Sequence, residues 1–301
     1  MTTSRRNFVK MGTAAFSGVF AGGLLPACGE KKTESSTPRF QISLAQWSLH
    51  RTIRKGELKN IDFPKYTKDK FGIMGVEYVN SFFKKEAKNM AYLKDLKNRA
   101  DSEGVRNVLI MCDGEGNLGA KTKQARTKTV ENHKKWVEAA KFLGCHSIRV
   151  NAGGPGNREE LGKQVVDGLT RLSTFAKDFG INVIVENHGG LSSDGDWLSG
   201  VLKQVNMENC GALPDFGNFH QYDRYQGMKD LMPFAKGVSA KSRVFNDQGE
   251  EVQSDFLKMM KIVAASKYKG YVGVEYEGGK LSEHDGIIAT KKLLEKVFAQ
   301  V

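Results

Sequence analysis

Eight apolar runs rich in β-branched residues recur along the chain, and amphipathic segments fill most of the gaps between them. The runs start roughly 25 to 40 residues apart. Alternation of this kind predicts parallel strands joined by crossover helices. Eight such units favour a closed (β/α)8 TIM barrel, an α/β fold, over an open doubly wound sheet. The runs are 40–49, 75–79, 107–111, 147–150, 181–185, 210–213, 237–240 and 271–274.

Glycine marks the points where helical segments give way to the next run. Glycine commonly ends helices because it adopts the left-handed backbone conformation without a steric penalty. No G-x-G-x-x-G pattern follows the first run, which makes a dinucleotide-binding sheet the less favoured alternative. The glycines at these turns are Gly72, Gly104, Gly144, Gly180 and Gly270.

The N-terminal region has the features of an export address. Arg5 and Arg6 match the twin-arginine pattern, and a weakly apolar stretch, 11–25, follows them without a charge. Cys28 then stands where bacterial lipoproteins carry their lipidated cysteine. We therefore predict a signal peptide over 1–27, a flexible tether over 28–39, and a barrel over 40–301 that is periplasmic and lipid-anchored. A cleaved signal with a chance cysteine is the alternative.

The charge and cysteine content narrow the classes of partner. The formal charge of +12 falls to +9 when the three basic residues of the signal are removed, and the remaining basic residues are interspersed with acidic ones. A dispersed charge of this kind favours a solvated surface over nucleic-acid binding. The three other cysteines form no C-x-x-C pair and lie beside apolar runs, so they are predicted to be buried thiols, with one disulfide left open.

Three acidic residues close three of the apolar runs: Glu186, Asp215 and Glu275. Parallel strands in a barrel present their carboxyl ends at one mouth, so we expect these acids to meet there. Clustered carboxylates repel one another unless a cation or a proton holds them together. The pattern therefore predicts a metal-assisted or acid–base site.

The motifs V-E-N-H-G-G at 185–190, L-P-D-F-G-N at 213–218 and G-V-E-Y-E-G at 273–278 resemble the sugar phosphate isomerase/epimerase family of xylose isomerase-like barrels. The resemblance covers roughly 40–300. It implies one divalent cation (Mn, Mg, Co or Zn) bound by Glu186, Asp215 and Glu275. It further implies that Glu186 and Glu275 are catalytic and move protons at a carbon beside a carbonyl.

The chain departs from that family pattern at two positions. Ser239 stands where the seventh strand commonly supplies a histidine ligand, and Asn218 stands where the sixth-strand motif often continues D-x-x-H. The loss of imidazole ligands predicts weaker metal binding, for which His188 or His220 would have to compensate. Lys241 shares the strand parity of Ser239 and is expected to neutralise a carboxylate in place of the metal, or to act as an acid.

Six residues are candidate substrate contacts. His188 lies two residues after Glu186 and therefore shares its face of the strand. Trp47 and His50 close the first run, where an aromatic ring would stack on a sugar; a core tryptophan is the alternative. The full set is Trp47, His50, His188, Asn218, His220 and Lys241.

These features predict a keto-sugar epimerase or aldose–ketose isomerase that acts on a small carbohydrate. Two alternatives stay open: a lyase or hydratase acting on 3-keto sugars or glycosides, and a carbohydrate-binding lipoprotein without catalysis. We expect no nucleic-acid partner, contact with the membrane only through the lipid anchor, and leave a homo-oligomer open.

Overall fold

The computed structural model describes residues 38–301, so the predicted signal and nearly all of the tether lie outside the described residues. Eight parallel strands alternate with helices, which confirms the predicted barrel. The strands are β1 (Phe40–Ala45), β2 (Gly75–Val79), β3 (Arg106–Met111), β4 (Ser147–Val150), β5 (Asn182–Glu186), β6 (Cys210–Leu213), β7 (Val238–Ser242) and β8 (Gly270–Tyr276).

The sheet runs in the order β6-β5-β4-β3-β2-β1-β8-β7, and its two outer strands nearly close it. Between β6 and β7 only isolated bridges form, such as that of Asp215 with Ser239. Pro214 has no N–H to donate, but its carbonyl accepts from the Ser239 N–H at 2.9 Å. These contacts therefore join the end of β6 to β7 at the edge of the barrel where the acidic residues lie.

Helices cover the outside of the barrel, as apolar stripes on the amphipathic segments require. Side chains cap the starts of most of them, for example Thr122 before Lys123–Leu143 and Asn157 before Arg158–Lys177. The α-helices within the described residues are α1 (His50–Arg54), α2 (Phe63–Phe71), α3 (Met90–Ser102), α4 (Lys123–Leu143), α5 (Arg158–Lys177), α6 (Gly195–Val205), α7 (Arg224–Leu231), α8 (Phe256–Ala265) and α9 (Glu283–Phe298). None of these helices has the length and apolar character needed to cross a membrane.

The first run is shorter as a strand than predicted. β1 ends at Ala45, and Gln46–Leu49 form a 3-10 turn that leads into α1. Trp47 therefore lies on a turn at the strand exit and not within the sheet. The three cysteines after the tether are buried free thiols, so no disulfide forms among them.

Strand register brings the polar residues of β7 and β8 side by side. Lys241 pairs with Glu275, and Ser239 pairs with Gly273, two residues deeper along the strands. Because side chains alternate across a strand, Ser239 and Lys241 share one face. Both side chains are buried, and both contact the acidic residues of the barrel interior.

Candidate active site

Glu186, Asp215 and Glu275 meet at the carboxyl-terminal mouth of the barrel. Each offers a carboxylate oxygen, and the three oxygens lie within 4.8 Å of one another. Glu186 and Asp215 are fully buried, whereas Glu275 is 3 % exposed. Ligand oxygens of a divalent cation sit about 2.0–2.6 Å from the ion, so oxygens this close can converge on one ion. The triad therefore could hold a metal.

The ammonium of Lys241 lies among these acids. Its Nζ is 3.2 Å from Glu275 Oε1, 3.9 Å from Asp215 Oδ2 and 4.0 Å from Glu186 Oε1, and a fourth carboxylate, Glu277, lies 3.4 Å away. Burial alone would lower the pKa of Lys241, but the attraction of Glu275, Asp215 and Glu186 raises it above its usual value. The lysine is therefore charged and balances part of the negative charge.

Ser239 joins two members of the triad. Its Oγ lies 2.7 Å from Asp215 Oδ2 and 2.8 Å from Glu275 Oε2. A serine hydroxyl carries a single hydrogen and can donate it to one carboxylate only. The other short contact therefore needs a carboxyl that carries a proton and donates it to the Ser239 oxygen. The hydroxyl therefore links the two acids by donating to one and accepting from the other.

Hydrogen bonds from the loop after β6 hold Asp215 and Glu186 in place. Asp215 Oδ1 accepts from the backbone N–H groups of Gly217 at 2.8 Å and Asn218 at 2.9 Å. The side-chain amide of Asn218 donates to Glu186 Oε1 at 3.0 Å. Asn218 therefore fixes the orientation of the acids in the position where the resemblance implied a histidine ligand.

Arg149 on β4 supplies a second buried cation. Its Nε lies 2.9 Å from Glu186 Oε2, although the two groups are not aligned for a hydrogen bond. The Arg149 Nη1 donates to Asp113 Oδ1 at 2.7 Å, and the side-chain amide of Asn151 donates to the same oxygen at 2.8 Å. The guanidinium therefore links the triad to an acid at the exit of β3.

Burial shifts two acids of the triad, Glu186 and Asp215, toward neutrality. Burial raises the pKa of Glu186 to about 7, against the opposing charge of Arg149. Burial also raises the pKa of Asp215 to about 7, against the attraction of Lys241. A carboxyl whose pKa lies near neutral pH can both take up and release a proton under physiological conditions. These acids are therefore suited to proton transfer.

A further acid, Glu77 on β2, lies deeper in the barrel. Ser43 donates to its Oε1 at 2.5 Å, while Oε2 has no hydrogen-bond partner. Gly273 makes room for it, because a Cβ at that position would lie 2.6 Å from Oε1. Burial raises the pKa of Glu77 to about 8, so this carboxyl is largely neutral at pH 7.

A cavity of about 360 Å³ opens above the triad. Trp47 lies in its wall and stacks on His50, with ring centroids 4.8 Å apart, and the Arg54 guanidinium lies 4.9 Å from the Trp47 ring centroid. An aromatic ring beside charged side chains suits a polar ring such as a sugar. The cavity is lined by Trp47, Arg54, Val79, Ser81, Asp113, Arg149, His188, Glu275 and Glu277.

Four of the six predicted substrate contacts lie at the site. Trp47 and His188 line the cavity, and Lys241 and Asn218 contact the acids below it. Burial, aided by the positive charge of Arg149, lowers the pKa of His188, so its imidazole is neutral at pH 7.

The other two histidines take different positions. His50 lies behind Trp47, with its Nδ1 2.7 Å from the Trp47 carbonyl oxygen. His220 has a left-handed backbone, with φ +45°, and is exposed. It lines a separate cavity of about 630 Å³ beside Asp194 and Tyr222. The structure therefore does not bring His220 to the triad.

Four charged residues that complete the site are absent from the predicted set of site residues: Asp113, Arg149, Arg243 and Glu277. Arg243 donates to Glu277 Oε2 at 3.1 Å and so holds the carboxylate that also faces Lys241. All four lie at or just beyond the ends of β3, β4, β7 and β8. Their position at strand exits was the available signal, but it does not show which exits point inward.

The chain is similar in fold to several solved barrel structures. It matches the IOLI protein, whose structure contains a zinc atom, at 17% identity over 86% of this chain and 98% of that one, with a TM-score of 0.70. It matches 3-keto-D-glucoside 4-epimerase YcjR from E. coli at 14% identity over 86% and 100%, with a TM-score of 0.66. The probable 3-DHS dehydratase AsbF from Bacillus anthracis matches at 14% over 85% and 98%, with a TM-score of 0.65. At such identities these likenesses establish the fold alone.

A search of curated proteins gives no match. The family model described as xylose isomerase-like TIM barrel matches residues 69–297, which is most of the chain. Together with the eight-stranded parallel barrel, this match shows that the chain belongs to the xylose isomerase-like TIM-barrel family.

Proposed function

We propose that this protein is a carbohydrate isomerase or epimerase that transfers protons at a carbon next to a carbonyl of a keto sugar. The observation that carries the proposal is the meeting of Glu186 and Glu275 beside one cavity, with buried cations next to both. The solved structures of similar fold include a keto-glucoside epimerase, which supports a substrate of this class.

Glu275 would act first, because it is the triad acid that lines the cavity. Its carboxylate would take the proton from the carbon beside the carbonyl, and the electron pair would move to the carbonyl oxygen as an enolate. Glu186, with a pKa near 7, would return a proton to the opposite face of that carbon to give an epimer. Return of the proton to the former carbonyl carbon, together with transfer of the adjacent hydroxyl proton to the enolate oxygen, would give the isomeric sugar.

The cations of the chain would stabilise the enolate. Lys241 and Arg149 lie within 4.0 Å of Glu186, in a buried setting where charge interactions are strong. Glu186, Asp215 and Glu275 are the residues that would hold a divalent cation, Mn, Mg, Co or Zn. When bound, such an ion supplies Lewis-acid polarisation of the sugar oxygens.

The test is hydrogen exchange in D2O, followed by NMR on a panel of free ketoses and 3-keto-glycosides. Glu275→Gln and Glu186→Gln should each lower the exchange and turnover rates by about 100-fold or more, since general acid–base groups contribute on that order. Glu159→Gln, on the exposed face of α5, is the control and should leave both rates unchanged. Full turnover in both site variants would exclude this mechanism.

A lyase or hydratase acting on 3-keto sugars or glycosides is the second candidate. Elimination begins with the same proton abstraction but also needs an acid that protonates the leaving group. Lys241 would be that acid, because its Nζ lies near the cavity, 3.4 Å from Glu277 in the cavity wall. The similar fold of a probable dehydratase supports this candidate. The same NMR panel separates the two, because elimination cleaves a C–O bond and epimerisation retains every bond to oxygen.

A third candidate is a carbohydrate-binding lipoprotein without catalysis. It would bind the sugar in the same cavity, beside Trp47. Sugar binding that survives in Glu186→Gln and Glu275→Gln, with no turnover of any sugar by the wild type, would favour it. In all three cases we propose a periplasmic protein, exported by the twin-arginine route and anchored through lipidated Cys28.

A further inference from the structure

The ammonium of Lys241 lies against the space where the triad would hold a metal. Its Nζ lies 3.2 to 4.0 Å from all three triad acids, and its side chain is about 1 % exposed. A divalent cation bound to the same acids would lie about 2.0–2.6 Å from their oxygens, and therefore within a few ångströms of the ammonium. Two buried cations at such a separation repel each other strongly.

The surroundings favour this position of the lysine. Gly217 leaves room for the stem, because a Cβ there would lie 3.2 Å from Lys241 Cγ and 3.3 Å from Cδ. Ser239, in place of an imidazole ligand, bonds Asp215 Oδ2 and Glu275 Oε2, which leaves Glu275 Oε1 to face the lysine. Glu277, held by Arg243, provides a fourth carboxylate for the ammonium.

We infer that Lys241 is an internal competitor for the metal site, so that a divalent cation binds the triad only when the ammonium withdraws. The inference rests on the proposed function, because the metal held by the triad is part of that proposal. It adds Lys241 as a residue that controls the affinity of the triad for the metal. A lysine-held triad would bind metal weakly and exchange it readily. Removal of the ammonium would leave the acids with an excess of negative charge and strengthen metal binding.

The test is calorimetric titration of the chelator-treated, full-length protein with MnCl2 and with ZnCl2. Lys241→Met should bind at least about tenfold more tightly than the wild type, because it removes the repelling charge and keeps the length of the stem. Lys163→Met is the matched control: it removes one positive charge from an exposed position on α5 and should bind as the wild type does. Lys241→Arg keeps the charge and should bind no more tightly than the wild type.

Equal or weaker metal binding by Lys241→Met would overturn the inference. If that variant does not fold, wild-type crystals soaked in MnCl2 give an independent answer. The inference expects Lys241 Nζ to leave the triad wherever anomalous density for Mn appears between the acids. Density for Mn with Nζ still within 4 Å of all three acids would overturn it. Neither experiment uses a sugar, so a wrong substrate class cannot produce either result.

Discussion

The guanidinium of Arg149 lies between two carboxylates whose pKa values move in opposite directions. Its attraction holds the pKa of Asp113 below the usual value despite burial, whereas burial raises the pKa of Glu186 to about 7. Asp113 is therefore ionised at neutral pH, and Glu186 is close to half ionised. The site thus contains one permanently charged acid and one that can exchange a proton.

Arg149→Met should destabilise the protein by about 3 kcal/mol above neutral pH, because it leaves Glu186 and Asp113 without their buried partner. Without the positive charge, the folded-state pKa of Glu186 rises further above its unfolded value. The stability that protonated Glu186 contributes is fully present below the unfolded pKa and is lost as pH rises through the folded pKa. The cost should therefore be larger at pH 8 than at pH 5, as measured by urea unfolding. A cost independent of pH would contradict this account.

Glu77→Gln should make stability less dependent on pH. Burial raises the pKa of Glu77 to about 8 in the folded protein, from about 4.5 in the unfolded chain. The stability that the protonated carboxyl contributes is therefore fully present below pH 4.5 and is lost as the pH rises toward 8. The free energy of unfolding of the wild type should fall relative to Glu77→Gln by a few kcal/mol across that range, since one pKa unit corresponds to about 1.36 kcal/mol. Urea unfolding at pH 5, 6.5 and 8 measures this difference, and Glu159→Gln is the exposed control. If the free energies of unfolding of the wild type and Glu77→Gln change in parallel with pH, the Glu77 carboxyl is not buried as described.

At the scale of elements, local chemistry accounts for where most helices begin or end, whereas the early end of β1 at the mouth of the barrel depends on tertiary contacts. Glycine ends α2 and α4 in the left-handed conformation, at Gly72 and Gly144 as predicted. The run 40–49 was predicted as one strand, yet it bends into a 3-10 turn after Ala45. Its apolar composition cannot reveal this turn, because Gln46 is held there by tertiary hydrogen bonds from Val79 and to Asn60.

Asn157→Ala should weaken the start of α5 by about 1 kcal/mol. The Asn157 side chain accepts from the N–H groups of Glu159 and Glu160, and the Glu160 side chain accepts from the Asn157 N–H in return. Thermal and urea unfolding measure the loss. Lys163→Ala, exposed on the same helix, is the control and should change stability by less than about 0.5 kcal/mol. An equal effect of the two substitutions would show that the cap contributes nothing.

At the scale of the whole molecule, the barrel brings together in its interior acids that are far apart along the chain. Glu77 and Glu275 lie on strands that both pair with β1, although about 200 residues separate them. The closure between β6 and β7 then brings Asp215 next to Ser239. A cavity for a small substrate thus forms at the strand exits.

Export and anchoring are predictions for the whole chain in its cell. Cys28→Ser should move the protein from the membrane fraction to the soluble periplasmic fraction, because a lipid chain supplies the membrane affinity. Replacement of both Arg5 and Arg6 by lysine should retain the unprocessed protein in the cytoplasm. Immunoblots of fractionated cells measure both. Membrane association that persists in Cys28→Ser after a high-salt wash would contradict the lipid anchor.

The sequence by itself determined the barrel and indicated the acids at its mouth. The alternation of apolar runs and amphipathic helices is local and repeats eight times, so a single misjudged boundary does not change the topology. Only the tertiary structure decided which charges surround Glu186, Asp215 and Glu275. Lys241 and Arg149 reach them because the closed barrel fixes the register of distant strands, and pairings across such distances leave no local pattern in the chain.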